Sequence, residues 1–259
     1  MNKFKGWLLL SDIDGTLTDD RGQIPNANIE AIRYFQNEGG LFTVATGRYP
    51  QYIDKYSASF KPNTYIVGIN GTMLYDPYKK TPVLTKAFED DLLSVIHEFI
   101  DLCPQIRYIT VSGHREELSI WREDFYRLDE ILSRLEKPWC RLILCQEADD
   151  SEKTRSALIP HYGDKYNFDM SWSEGLEVHP IGSGKGELIG DMLRLLSEAG
   201  APIHTTVCVG DYENDLSMFR SVNIGYAVEN AIPAVKKAAT HLTVSNNDGA
   251  IAKIIEELG

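Results

Sequence analysis

The chain lacks any long apolar run. None of its 259 residues belongs to a stretch approaching the ~20 apolar positions a membrane span needs, so no spanning helix is expected. Lys3 and Lys5 ahead of Trp7–Leu10 resemble the start of a secretory leader, but the apolar stretch is short and Asp12 and Asp14 follow at once. Cysteine is scarce. Cys103, Cys140, Cys145 and Cys208 include no C-x-x-C pair and have no histidines at ligand spacing nearby. That excludes a zinc site and a disulfide framework, and it fits the reduced thiols of a cytoplasmic protein. Positive charge is in deficit, with 26 Lys and Arg against 38 Asp and Glu and a formal net charge of −12. Nucleic acids and anionic membrane surfaces, which recruit basic patches, are therefore not expected partners. An acidic chain that handles anionic substrates must neutralise charge locally, so a metal cation is the early expectation.

The order of elements predicts an α/β fold. Trp7–Ser11 reads as a buried strand, apolar without alternation. A helix follows from Pro25-Asn26, with Ile29, Ile32 and Phe35 on one face and Gly39-Gly40 closing it. Leu41–Thr46 is a second strand, residues 49–59 a second helix, and Tyr65–Gly68 a third strand. Strand, helix, strand, helix, strand implies a parallel sheet with right-handed crossovers. The rhythm then changes. Thr72–Tyr75 and Pro82–Thr85 flank a hairpin turn at residues 76–80. Residues 84–180 read as an inserted α+β layer. Its helices are expected around Phe88–Phe99, Arg122–Leu135 and Ser151–Tyr162. Its strands are expected at Arg107–Val111, Arg141–Leu144, Asn167–Trp172 and Leu176–His179. Gly186–Glu198, Thr206–Val209, Ile224–Ala227, Leu242–Val244 and Ala250–Leu258 resume the first pattern, so residues 1–83 and 181–259 form one domain. No internal repeat or low-complexity segment is visible.

Chemistry-bearing groups end the strands of that domain. The first strand runs into Asp12-Ile13-Asp14-Gly15-Thr16, the second ends at Thr46, and a later one stops at Gly210-Asp211. Parallel α/β sheets bind ligands at the carboxyl ends of their strands, so residues far apart in sequence would meet at one edge. Two carboxylates two residues apart can divide nucleophile and proton-shuttle work if their environments differ. Lys185 lies in Gly182-Ser183-Gly184-Lys185-Gly186, but His179 and Gly186 stand where a P-loop needs Gly and Ser or Thr.

Four motifs in order resemble the haloacid dehalogenase-like hydrolase superfamily: D-I-D-G-T at Asp12–Thr16, A-T-G-R at Ala45–Arg48, G-S-G-K-G at Gly182–Gly186, and G-D-Y-E-N-D at Gly210–Asp215. The size and place of the insert, Asn70-Gly71 and Asn247–Ala250 are similar to its Cof-type branch. The resemblance implies a Rossmann-like catalytic core with an inserted cap and an Mg²⁺-dependent phosphatase acting on small phosphate monoesters, sugar phosphates foremost. It implies that Asp12 attacks phosphorus and that Asp14 serves as acid and then base. Asp12, the Asp14 carbonyl and Asp211 would hold Mg²⁺, with Asp215 supporting it. Thr46 and Lys185 would hold the phosphoryl oxygens.

Gly47, Arg48, Asn70 and Asn214 are further candidates for phosphate or substrate binding. Arg48 could instead cap the helix after it, and Asn70 is similarly open. His179 is expected as a surface contact of the insert, and Tyr108, Trp121, Trp139 and Trp172 as core residues of it. Two other functions remain open: a phosphosugar mutase using the same motifs, and a non-catalytic regulator that binds a phosphorylated ligand.

Overall fold

The computed structural model describes residues 2–56, 59–89 and 91–259, and the chain divides into two compact units, Met1–Leu84 with Gly184–Gly259, and Thr85–Ser183. The first unit begins with strand β1 (Trp7–Ser11), whose Leu8, Leu9 and Leu10 are buried completely. Helix α1 (Asn26–Asn37) turns Ile32 and Phe35 inward, and the Gly39-Gly40 pair ends it. At Gly40 a Cβ would strike the Phe35 ring at 2.3 Å, so only glycine lets the chain leave there. Strand β2 (Leu41–Val44) follows.

The second crossover differs from expectation. Of the helix expected over residues 49–59, Pro50–Tyr56 form a tight 3₁₀ segment, while Ser57 and Ala58 lie outside the described residues. Strand β3 (Ile66–Gly68) does not extend the parallel sheet. It pairs antiparallel with β4 (Met73–Asp76), which neighbours β5 (Thr81–Thr85) in a three-stranded sheet. A lone parallel bridge, Ala45 to Val67, links it to the end of β2. The cause is local: Ile69, Asn70 and Gly71 all take positive φ, at 48°, 50° and 82°, and reverse the chain after three strand residues.

The inserted unit contains helix α2 (Leu92–Leu102), strands β6 (Tyr108–Ser112) and β7 (Glu117–Trp121), helix α3 (Leu128–Leu132), strand β8 (Arg141–Cys145), helix α4 (Ala148–Tyr162), and strands β9 (Tyr166–Trp172) and β10 (Gly175–Pro180). The strands form an antiparallel sheet in the order β7-β6-β8-β10-β9. One face supplies Ile109, Val111, Leu142, Leu144, Leu176 and Val178 to a core shared with Ile96 and Phe99 of α2 and Leu158 of α4. The other face is polar and includes the ion pair Arg141–Glu177 at 3.4 Å. Strand β7 was not foreseen, although Glu-Leu-Ser-Ile-Trp alternates as a half-buried strand should. The helix expected over Arg122–Leu135 is broken into a 3₁₀ segment, Arg122–Arg127, and α3. His179 is no surface contact: it is buried, with Ser183 Oγ and Asp169 Oδ2 each 2.8 Å from its ring nitrogens. Trp121 and Trp172 are not core either. They sit at the outer sheet edges, 49% and 37% exposed.

Beyond the insert come α5 (Lys185–Glu198), β11 (Thr205–Gly210), α6 (Leu216–Ser221), β12 (Ile224–Ala227), α7 (Pro233–Ala238), β13 (His241–Leu242) and α8 (Ala250–Leu258). Leu188, Ile189, Met192 and Leu196 of α5 repeat at helical spacing and pack with Leu8, Leu10 and Cys208. The main sheet is parallel, in the order β13-β12-β11-β1-β2. β1 is thus flanked by β11 and β2, so the segments after all three open at the same edge. All four cysteines are buried thiols. Among the described residues no helix is long and apolar enough to cross a membrane.

Candidate active site

Asp12 follows the interior strand β1 directly, and its amide still bonds Val209 O of β11 at 3.0 Å. The backbone then makes one wide turn closed by Thr18 N on Ile13 O at 2.9 Å. Gly15 sits in that turn with φ 79°, and a Cβ there would stand 2.7 Å from Asp211 Oδ2. Glycine therefore lets the first motif close against Asp211, and Thr16 Oγ1 donates to Asp211 Oδ1 at 2.9 Å. Thr16 lies inside the first motif, and its position there is the one sequence signal for this contact. Asn230, which donates to Gly15 O at 2.8 Å, carried no sequence signal.

Asp215 is fully buried. Its Oδ2 accepts the amides of Asp211 and Tyr212 at 2.8 and 3.2 Å and so shapes the fourth-motif loop. Its Oδ1 accepts Lys185 Nζ at 2.6 Å. Lys185, the first residue of α5, is 1% exposed and also donates to Asp12 Oδ1 at 2.7 Å. One buried ammonium thus joins the first and fourth motifs.

The charges in this cluster do not balance. Oxygens of Asp12, Asp211 and Asp215 lie within 4.8 Å of one another. A single lysine faces three carboxylates. Burial acts to lower the Lys185 pKa, yet attraction from Asp12 and Asp215 wins and holds it above the usual lysine value. Burial pushes Asp12 well up, against the pull of Lys185 and with the push of Asp215 and Asp211. Burial and Asp215 together hold the Asp211 carboxyl up at about 7. Surplus buried negative charge among hard oxygen donors is the chemistry that suits Mg²⁺. The residues present fit such an ion.

The second motif lies at the next strand. Thr46 is 1% exposed, its amide bonds Val67 O at 2.9 Å, and its hydroxyl accepts Arg48 N at 3.2 Å. Arg48 reaches Asp14 rather than capping a helix: Nε and Nη2 donate to the two carboxylate oxygens at 2.7 and 2.6 Å. Its hydrogen bonds to Asp14 raise the Arg48 pKa further. Asn70 accepts Asn214 Nδ2 on Oδ1 at 2.9 Å, and a Cβ on Gly47 would meet the Asn70 carboxamide at 3.3 Å. The ten candidate residues all belong to the first unit, and the contacts above join them to one another in two groups: Asp12, Lys185, Asp211 and Asp215, and Thr46, Gly47, Asn70 and Asn214, with Asp14 held by Arg48.

The family model for haloacid dehalogenase-like hydrolases matches residues 9–255. The chain belongs to the haloacid dehalogenase-like hydrolase family. Among relatives of this hydrolase, M6_Spy0533 of Streptococcus pyogenes is 27% identical and covers 96% of this chain and 97% of its own length. The pyridoxal phosphate phosphatase YbhA of Escherichia coli is 24% identical, over 94% of this chain and 95% of its own. The solved structure of the HAD subclass IIB sugar phosphatase BT4131 superposes with a TM-score of 0.79 at 19% identity, covering 97% of this chain and 98% of that one. At that identity the likeness speaks for the fold: a parallel α/β core carrying an inserted α+β unit.

Proposed function

We propose that this hydrolase is a phosphatase that cleaves small phosphate monoesters, sugar phosphates foremost, through an aspartyl-phosphate on Asp12. The observation that carries the reading is the cluster at the sheet edge, in which buried Lys185 bridges Asp12 and Asp215 beside Asp211. Relatives named as phosphatases of pyridoxal phosphate and of sugars support it.

In this reading a carboxylate oxygen of Asp12 bonds to phosphorus as the ester P–O bond breaks. Asp14, protonated on an oxygen freed from Arg48 while the other keeps its hydrogen bond, gives that proton to the departing alkoxide. It then takes a proton from the water that attacks phosphorus, which frees inorganic phosphate and restores Asp12. Lys185 and the Thr46 hydroxyl hold the phosphoryl oxygens. Mg²⁺, held by Asp12, the Asp14 carbonyl and Asp211 with Asp215 in support, would neutralise the repulsion between carboxylate and phosphate. Phosphoryl transfer asks mainly for positioning and electrostatic stabilisation, and a buried lysine at a fixed distance supplies both.

The inserted unit is assigned the choice of leaving group. The partner in this reading is a small phosphorylated metabolite, met by Lys185 at the site; the net charge of −12 speaks against nucleic acid, and four buried thiols support a cytoplasmic setting. The test is phosphate release from a panel of phosphorylated metabolites with Mg²⁺. Release should cease in Asp12→Ala and in EDTA, and return with excess Mg²⁺. Isomerised sugar phosphate with little free phosphate would mark a mutase, and binding without turnover a regulator.

A further inference from the structure

The segment Ile69-Asn70-Gly71 is strained at two consecutive non-glycine residues, with φ of 48° and 50°. A β-branched residue in the left-handed region is a genuine outlier that persists only where its surroundings over-determine it. The strain is held in place by its contacts. Ile69 N bonds Arg48 O at 3.1 Å and Asn70 N bonds Thr46 O at 2.9 Å, which fixes the turn to the second motif. Gly71 O accepts Gly184 N at 3.1 Å, and a Cβ on Gly71 would lie 1.9 Å from Gly184 C and 2.3 Å from Lys185 N. The turn therefore abuts the backbone that launches Lys185. The Asn70 carboxamide, 3% exposed, packs on Gly47 and accepts Asn214 Nδ2 from the fourth motif. Three loops remote in sequence are keyed to one strained turn.

We infer that Asn70 is a positioning residue. Its carboxamide oxygen orients Asn214 and registers the fourth-motif loop against the second and third, and it does not itself contact the phosphoryl group. The left-handed backbone aims the side chain, and asparagine suits it because its short polar side chain tolerates that conformation. Only the kinetic arm of the test below rests on the phosphatase reading.

The test compares Asn70→Gly with Asn70→Asp. Glycine accepts the same φ without strain but removes the acceptor, so the thermal midpoint stays level or rises while kcat/KM falls about ten-fold, the worth of one good hydrogen bond. Aspartate keeps an acceptor for Asn214 Nδ2 and returns kcat/KM to within about three-fold of the wild type. The double variant Asn70→Gly/Asn214→Ala is no slower than Asn214→Ala alone, because the two act as a unit. A carboxamide that touches phosphate predicts the reverse: aspartate worse than glycine through charge repulsion, and additive losses. Either of those results, or full activity in Asn70→Gly, overturns the assignment. A readout independent of turnover is hydrogen exchange at the Asn214 carboxamide, slowed in the wild type and fast in Asn70→Gly. If the wild type releases no phosphate but this exchange responds, the phosphatase reading fails and the positioning role stands. Equal exchange in both proteins removes the positioning role.

Discussion

Arg48 grips Asp14 with two parallel hydrogen bonds of 2.7 and 2.6 Å, one to each carboxylate oxygen. The planar guanidinium fixes the plane of the carboxylate as well as its place, which a lysine could not do. Sequence alone left Arg48 open between a substrate anion and a helix end. The structure gives it the proposed acid/base as partner.

Replacing Arg48 with Met should therefore act on turnover. We expect kcat to fall about ten-fold or more, since misplacement of a reacting group by ~1 Å can cost ~10²-fold, with KM nearly unchanged. Both partners are more than a third exposed, so the loss of stability should stay below about 1 kcal/mol. Steady-state kinetics decide it: a raised KM at constant kcat would return Arg48 to substrate binding.

Lys185→Met should damage the fold as well as the chemistry. Asp12 and Asp215 would keep buried charge without their shared counter-ion, a change that typically costs about 3–5 kcal/mol. Chemical denaturation should show that loss, and Asp215→Asn added to Lys185→Met should recover part of it. A Lys185→Met protein as stable as the wild type would contradict the charge assignment of this cluster.

Metal binding and pH should be linked through Asp211. Its carboxyl is held up at about 7, against about 3.9 in an unfolded chain. The folded protein thus keeps a proton that the unfolded chain has released. The stability this group contributes is complete below pH ~4 and is lost as pH rises to ~7. Mg²⁺ competes with that proton, so it should raise the thermal midpoint more at pH 8 than at pH 5. Equal shifts at the two pH values, read by differential scanning fluorimetry, would argue against Asp211 as a ligand.

Gly15→Ala and Gly22→Ala make a matched pair. Both glycines have positive φ, 79° and 71°, so both variants bear the same backbone strain, about 1–2 kcal/mol. Only at Gly15 would the new Cβ meet Asp211, at 2.7 Å, while nothing stands within 4 Å of one at Gly22. Mg²⁺ titration by calorimetry should show affinity reduced at least ten-fold in Gly15→Ala and unchanged in Gly22→Ala. Unchanged affinity in both would separate the first-motif turn from the metal.

What the sequence determined by itself was the set of strand ends. Apolar runs such as Trp7–Leu10 and Thr206–Val209 must be buried, and a carboxylate two residues beyond each, Asp12 and Asp211, can only emerge at a sheet edge. Local spacing also fixes the helical stripe of α5, and the alternation of Glu-Leu-Ser-Ile-Trp carries β7. What tertiary structure decided was pairing. Lys185 lies 173 positions from Asp12, and Asn214 lies 144 from Asn70, so no local period records either contact. The antiparallel turn of β3 follows from left-handed backbone at Ile69 and Asn70, a conformation that pays its strain through contacts with Thr46 and Gly184. Those contacts exist only once the sheet has brought the loops together.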